Sequence, residues 1–221
     1  MNLLPIYKQS ILPLLPEKEI LPVMSSFPMF GDAARFPAFT DCPVLDNPTA
    51  PDDAPYYLLG TIGENMTASA APTFILKDRN NVSFALTLRI PADEIKESVL
   101  GGGLDVSGFK KGFTAVVEDA RRSGVKEGKS GFVVAPSGSV KIIPASLQKL
   151  SELNNMHYEN VSGESRSCQA CSTRKPKDEL LTCTGCRCVW YCNKECQTLG
   201  WKEKNHKKDC KIFKSCLEIL L

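Results

Sequence analysis

Eight residues of the type that bind zinc stand in four pairs: Cys168-x2-Cys171, Cys183-x2-Cys186, Cys192-x3-Cys196 and His206-x3-Cys210. Zinc takes four thiolate or imidazole donors in a tetrahedron. A C-x2-C turn points both sulfurs at one ion, and an x3 spacing puts two donors one helical turn apart on the same face. Eight donors therefore make two closed sites. A closed site keeps no position for water, so the expected metal is structural rather than a Lewis acid.

Disulfides and a catalytic thiol are the other chemistries that concentrate cysteine. The opening stretch MNLLPIYKQSILPLLPEKEILPV lacks a basic n-region, and Pro5, Pro13, Pro16 and Pro22 interrupt every apolar run, which is unlike a secretory signal. No run approaches the roughly 18 apolar residues of a membrane span. The expectation is an intracellular protein, nuclear or cytoplasmic, with reduced thiols and no membrane association. A catalytic cysteine needs a base, and the only histidines are His157 and His206. Metal ligation is the reading that remains.

Around the ligands the order C-x2-C, C-x2-C, Tyr191-Cys192, Cys196-Gln197, Trp201, His206-Lys207 and Cys210 resembles the MYND-type zinc finger. The resemblance covers residues 168–210. It implies two interleaved structural zinc sites, Cys168, Cys171, Cys192 and Cys196 holding one ion, and Cys183, Cys186, His206 and Cys210 the other. Four residues, Lys202 to Asn205, separate Trp201 from His206 where the family has two or three, and Cys188 is a surplus thiol. On the sequence alone, Cys188 is an alternative to His206 as a ligand. A segment this short cannot bury enough apolar surface to fold unaided, whereas a structural zinc contributes about 10–16 kcal/mol of binding energy that becomes folding energy. The cysteines replace a core.

The family resemblance further implies a protein-interaction module that accepts Pro- and Leu-containing peptides, with the groove at Thr184, Gln197 and Trp201. Trp201 is read equally well as packing between helix and hairpin. Lys194, Lys202, Lys204, Lys207, Lys208 and Lys211 crowd the same region, and with a whole-chain net charge of only +2 they read as counter-charges to thiolates on a solvated face rather than as a phosphate-binding surface. In KIFKSCLEILL, Ile212, Phe213, Cys216, Leu217 and Leu220 share one helical face. Cys216 and Cys42 read as small apolar residues.

Upstream, residues 55–155 read as a second unit. TFILKD-RNN-VSFALTLRI is a β-hairpin by its alternation and polar turn. YYLLGTIG is a candidate strand before it, GFTAVVEDARR and the pair GFVVAP-SGS-VKIIP supply at least two more after it, ADEIKESVL is a short helix between Pro91 and the glycines 101–103, and ASLQKLSELNN is a closing helix with Leu147, Leu150 and Leu153 at helical spacing. Five strands with a helix after the third suggest a small barrel. The order, the FILKD run and the Phe109–Gly112 turn resemble an OB-fold, a resemblance that implies a single-strand nucleic-acid reader. Twelve Lys and Arg against nine Asp and Glu between residues 54 and 150 give no basic groove, and alternation is expected to bury Phe74, Phe84, Phe113 and Phe132.

The expected class is α+β: an irregular Pro-rich arm (1–54), an OB-like mainly-β barrel (55–155), a linker (156–167), a compact two-zinc cross-braced finger (168–210) and a C-terminal helix (211–221). The arm's ILPLLPEKEILP carries the Pro/Leu chemistry the groove should accept, so it either docks there, in cis or in a neighbouring molecule, or wraps the barrel. No Walker loop, Rossmann fingerprint or nucleophile elbow occurs, and GGGLD at 101–105 lacks the Lys-Ser/Thr ending of a phosphate loop. The functional expectation is a non-enzymatic adaptor whose finger recruits a Pro/Leu-containing partner. The alternative is a transcriptional regulator in which the barrel reads single-stranded nucleic acid.

Overall fold

The computed structural model describes residues 27–45, 54–68, 71–90, 105–123 and 131–221. The expected helix at 92–100, the glycines at 101–103 and the segment 11–22 lie outside these. Among the described residues, β1 (Tyr57–Asn65), β2 (Thr73–Lys77), β3 (Ser83–Arg89), β4 (Thr114–Glu118), β5 (Phe132–Pro136) and β6 (Val140–Ile143) form one sheet in the order β5-β3-β2-β1-β4-β6.

β2 and β3 pair as the expected hairpin, with Thr73 opposite Thr87 and Lys77 opposite Ser83. Their turn is organised by Asp78, whose carboxylate accepts the backbone N–H groups of Asn80 (2.9 Å) and Val82 (2.8 Å). Its other oxygen accepts the N–H of Phe39 at 2.8 Å, so the same carboxylate pins the N-terminal segment to the barrel. Alternation buries Phe74, Leu76, Phe84, Leu86 and Leu88 in the barrel interior.

The five expected strands are six because the last one is broken. β5 runs parallel to β3 and β6 antiparallel to β4, and only a single 3-10 turn, Ser137–Ser139, separates them. Tracing the pairings, β5 and β6 point the same way, as two halves of one bent strand. In a flat sheet they would be five strand spacings apart, about 24 Å, whereas the link from Pro136 to Val140 spans at most about 14 Å. The sheet must therefore curl into a partly open barrel, with the bent strand serving both of its edges. A lone bridge between Arg122 and Val133 adds to the closure.

Pairing with β3 fixes which side chains of β5 face inward. Val133 and Ala135 are buried, and Phe132 is 44% exposed, contrary to the expected burial. Phe113 is partly buried against the barrel interior.

The sheet is covered on its outer side as well. Leu59, Val116 and Ile143 point away from the barrel interior into a second core built on α1 (Leu147–Val161). Ser146 caps this helix by accepting the N–H of Lys149, and Leu150, Leu153, Asn154 and His157 form its buried face. The helix runs on through residues 156–161, in the stretch read as a linker. Residues 27–42 of the N-terminal segment lie against this assembly, with Phe27, Phe30 and Phe36 in the outer core and Phe39 stacked on Phe84 at 4.7 Å.

The same outer core continues into the finger, taking in Cys168, Cys183, Cys186, Val189, Tyr191, Cys210 and Phe213. The finger comprises β7 (Ser165–Ser167), β8 (Arg174–Pro176), β9 (Leu181–Thr182), β10 (Trp190–Tyr191), α2 (Lys194–Lys202) and α3 (His206–Leu220). Among the described residues, no helix is long and apolar enough to cross a membrane.

Candidate metal centre

Each pair of zinc-type residues sits on a local structure that aims both donors inward. Cys168 and Cys171 flank the β7–β8 turn, closed by Ser172 N–H donating to the Cys168 carbonyl at 2.9 Å and by Ser172 in the left-handed region at φ 62°. Cys183 and Cys186 form the matching turn after β9, where Arg187 N–H donates to the Cys183 carbonyl and Arg187 takes φ 58°. Cys192 directly follows β10 and Cys196 lies in the first turn of α2, which Asn193 caps by accepting the Cys196 N–H at 2.9 Å. His206 and Cys210 face one way from the first turn of α3.

These elements gather Cys168, Cys171, Cys192 and Cys196 into one group and Cys183, Cys186, His206 and Cys210 into another, with the donor atoms of each within 4.8 Å of one another. A tetrahedron with zinc–sulfur bonds of about 2.3 Å has edges of about 3.8 Å. The sulfur–sulfur distances are 3.6 Å for Cys171–Cys192, 3.9 Å for Cys171–Cys196 and 3.9 Å for Cys183–Cys210. His206 Nε2 lies 3.3 Å from Cys183 Sγ and 3.8 Å from Cys186 Sγ. Sulfur and imidazole donors at tetrahedral separations fit two zinc ions in closed sites.

Charge leads to the same conclusion. Hydrogen bonding to Thr173, whose hydroxyl lies 3.3 Å from the sulfur, draws the Cys171 thiol down to about 6. Burial and then the neighbouring sulfurs push Cys192 and Cys210 up to about 12. Cys186 is raised too, first by the Cys188 thiol and then by burial. Sulfurs packed this closely resist ionising together, and a divalent cation among them reverses that balance.

The unusual spacing ahead of His206 is absorbed at Asn205, which turns into the left-handed region at φ 58° and separates α2 from α3. That break delivers His206 into the second group. Cys188 belongs to neither group, and its sulfur turns to the Cys186 carbonyl at 3.1 Å.

His157 has no motif around it, yet the structure brings it against the Cys188–Trp190 stretch of the finger. Its Nδ1 lies 3.2 Å from the Cys188 carbonyl and its ring stacks on Trp190 at 6.1 Å. Burial lowers its pKa, which favours the neutral ring. Helical spacing from Leu150 and Leu153 was the available signal, since it puts residue 157 on the buried face. Further along, Lys149 pairs with the buried Asp209 at 3.1 Å, and Arg35 donates to the Leu220 carbonyl. Ile212, Phe213, Cys216 and Leu220 are buried along α3, and burial pushes the Cys216 and Cys42 thiols up to about 12.

Thr184, Gln197 and Trp201 line one cavity of about 450 Å³ between the Cys183–Cys186 turn and α2. Trp201 packs edge-on to His206 at 5.7 Å and is still 40% exposed. Lys194 and Lys202 also line this cavity, and all six lysines of the basic run are exposed.

α2 sits on β10 through Gly200, where a Cβ would fall 2.4 Å from Tyr191 Cε1. Tyr191 is fully buried and cannot swing away. Gly200→Ala is therefore expected to cost about 1–3 kcal/mol, as overpacking does, read as a lower urea midpoint of the zinc-loaded chain. An unchanged midpoint would count against this account of the α2–β10 contact.

Comparison with known proteins agrees with this geometry. Residues 168–210 match the MYND finger family. The human histone-lysine N-methyltransferase SMYD3 is 42% identical over 40 residues, which are 18% of this chain and 9% of that protein. MYND fingers are in general zinc-binding protein-interaction modules. The segment from Cys168 to Cys210 is thus a MYND finger, folded around two four-donor sites of the kind that hold zinc.

Proposed function

We propose that this protein is a non-enzymatic adaptor whose finger recruits a partner through an extended Pro/Leu-containing segment. The observation that carries this reading is the cavity at Thr184, Gln197 and Trp201, where a fully formed apolar ring is left 40% exposed. An aromatic face accepts proline rings and leucine side chains, and an adjacent amide can bond the main chain of an extended ligand. The zinc ions hold this surface: Cys183 and Cys210 line the cavity from below, and Gln197 is one residue from Cys196. The methyltransferase activity named for the human relative belongs to a protein of which the shared segment is 9%, and that segment here supplies metal donors and a groove.

The barrel acts as the platform on which the finger is mounted. The nucleic-acid alternative has one observation in its favour, the exposed Phe132 beside Val134 (37% exposed) on β5. A stacking surface normally presents several aromatics along a basic track. Oligonucleotide binding that falls steeply with salt would shift the reading toward that alternative.

Trp201→Ala tests the adaptor reading directly. Truncating a central aromatic anchor typically costs 2 kcal/mol or more, about 30-fold in Kd. The expected result is that loss for a labelled Pro-Leu peptide, with both zinc ions retained in native mass spectrometry. Undiminished affinity with the metal in place would remove the cavity from the mechanism.

A further inference from the structure

The groove has a candidate occupant within this chain. We infer that residues 11–22, ILPLLPEKEILP, dock in the Trp201 groove of the same molecule and compete with the partner. This rests on the reading that the groove takes Pro/Leu segments, and it adds regulation to that site.

Three observations support it. The first is where the chain enters the described structure. The Tyr158 hydroxyl donates to the Phe27 carbonyl at 2.6 Å, and the Phe27 ring lies 5.0 Å from Phe213 and 5.3 Å from His157. Phe27 is thus fixed to the finger's own helix α3 and to the histidine stacked on β10. The 26 preceding residues are tethered beside the finger, at the end of α1 remote from the barrel sheet.

The second is reach. Leu14 to Pro16 precede Phe27 by 11 to 13 residues, a span of up to about 36–43 Å at roughly 3.3 Å per residue. A 43-residue finger (168–210) has a radius of gyration of about 9 Å and is on the order of 25 Å across. Every point on its surface is accessible to the tether.

The third is chemical match. Proline and leucine alternate through the segment as an exposed indole requires. Lys194 and Lys202 line the groove, and among the described residues no carboxylate does, while Glu17 and Glu19 flank Lys18 just after Pro16 and leave the segment with a net charge of −1. A tether of this length gives an effective concentration in the millimolar range. A segment that binds with a Kd of about 100 µM would then weaken an outside ligand about tenfold.

The experiment compares the full zinc-loaded chain with one lacking residues 1–24, both verified to hold two zinc ions by native mass spectrometry. Each is titrated with two labelled probes, a heptapeptide of alternating proline and leucine and a synthetic peptide of residues 11–22. The expected result is that the shortened chain binds both probes and the full chain binds each about tenfold more weakly. Replacing Leu14, Leu15 and Pro16 by serine in the full chain should restore affinity to the same degree without a deletion. Equal affinity of both chains for the heptapeptide overturns the inference and leaves the adaptor reading standing, as does a shortened chain that binds the heptapeptide but not residues 11–22. Failure of both probes on both chains overturns the groove reading and this inference with it. A gain on deletion that grows with protein concentration assigns the segment to a neighbouring molecule and overturns docking in cis.

Discussion

Stripping both zinc ions with a chelator is expected to unfold the chain from Cys168 through α3 and to loosen α1 while leaving the barrel interior folded. Each structural zinc is worth about 10–16 kcal/mol, comparable with the whole stability of an ordinary domain, about 5–15 kcal/mol. Four of the eight donors, Cys168, Cys183, Cys186 and Cys210, lie within the apolar core that joins finger to barrel. Without the metal these residues are polarisable thiols whose turns are closed by single backbone hydrogen bonds, such as those to the Cys168 and Cys183 carbonyls. Ile212, Phe213, Cys216 and Leu220 then lose the anchored first turn of α3 that positions them. Hydrogen exchange should therefore show rapid exchange in α2 and α3, partial loss of protection on α1, and retained protection in β1 to β4. Chelation that leaves α3 protected would mean that packing, rather than metal, holds the finger.

Phe213→Ala carries the second largest expected effect. The ring is fully buried and lies 5.0 Å from Phe27 and 6.3 Å from His157, at the meeting point of the N-terminal segment, α1 and α3. A buried phenylalanine truncated to alanine costs about 3–5 kcal/mol, through lost transfer energy and the cavity left behind. No nearby element can collapse into the space without breaking its own anchor, since α3 is fixed by His206 and Cys210 and α1 by the barrel. The expected outcome is an unfolding free energy in urea lowered by that amount for the whole zinc-loaded chain, with tryptophan fluorescence and far-UV circular dichroism moving together. A loss below about 1 kcal/mol would show that barrel and finger are merely tethered.

Much of this was legible in the sequence, for identifiable reasons. Ligand spacing exposes a zinc finger because the geometry of one ion fixes both residue type and separation, and alternation exposes β2 and β3 because their inner face has no solvent. Phe132 was misplaced because alternation gives a period but not a phase, and the phase of β5 is set by its pairing with β3. The Ser137–Ser139 turn has the composition of a hairpin loop and serves a bend instead. The joint between barrel and finger left no local trace. Tyr158 and Phe27 are 131 positions apart, and Arg35 and Leu220 are 185. His157, the residue that links α1 to the Cys188 carbonyl and Trp190 of the finger, is one polar side chain on a helical face, and these partners lie more than 30 positions further along the chain.

The bent strand has a consequence for the order of folding. Hairpin β2–β3 closes over a few residues and β1 adds beside it, but the run from Phe132 to Ile143 has to find β3 with its first half and β4 with its second. Those two strands are brought within range of one another only after the sheet has rolled up. The run cannot be laid down gradually as another strand on a growing edge. It acts as a latch that engages late, across a long sequence separation, where closure entropy is greatest and folding slowest. Until then both edges stay open to pairing with other chains, so a newly made molecule is most vulnerable to aggregation before residue 143 has left the ribosome.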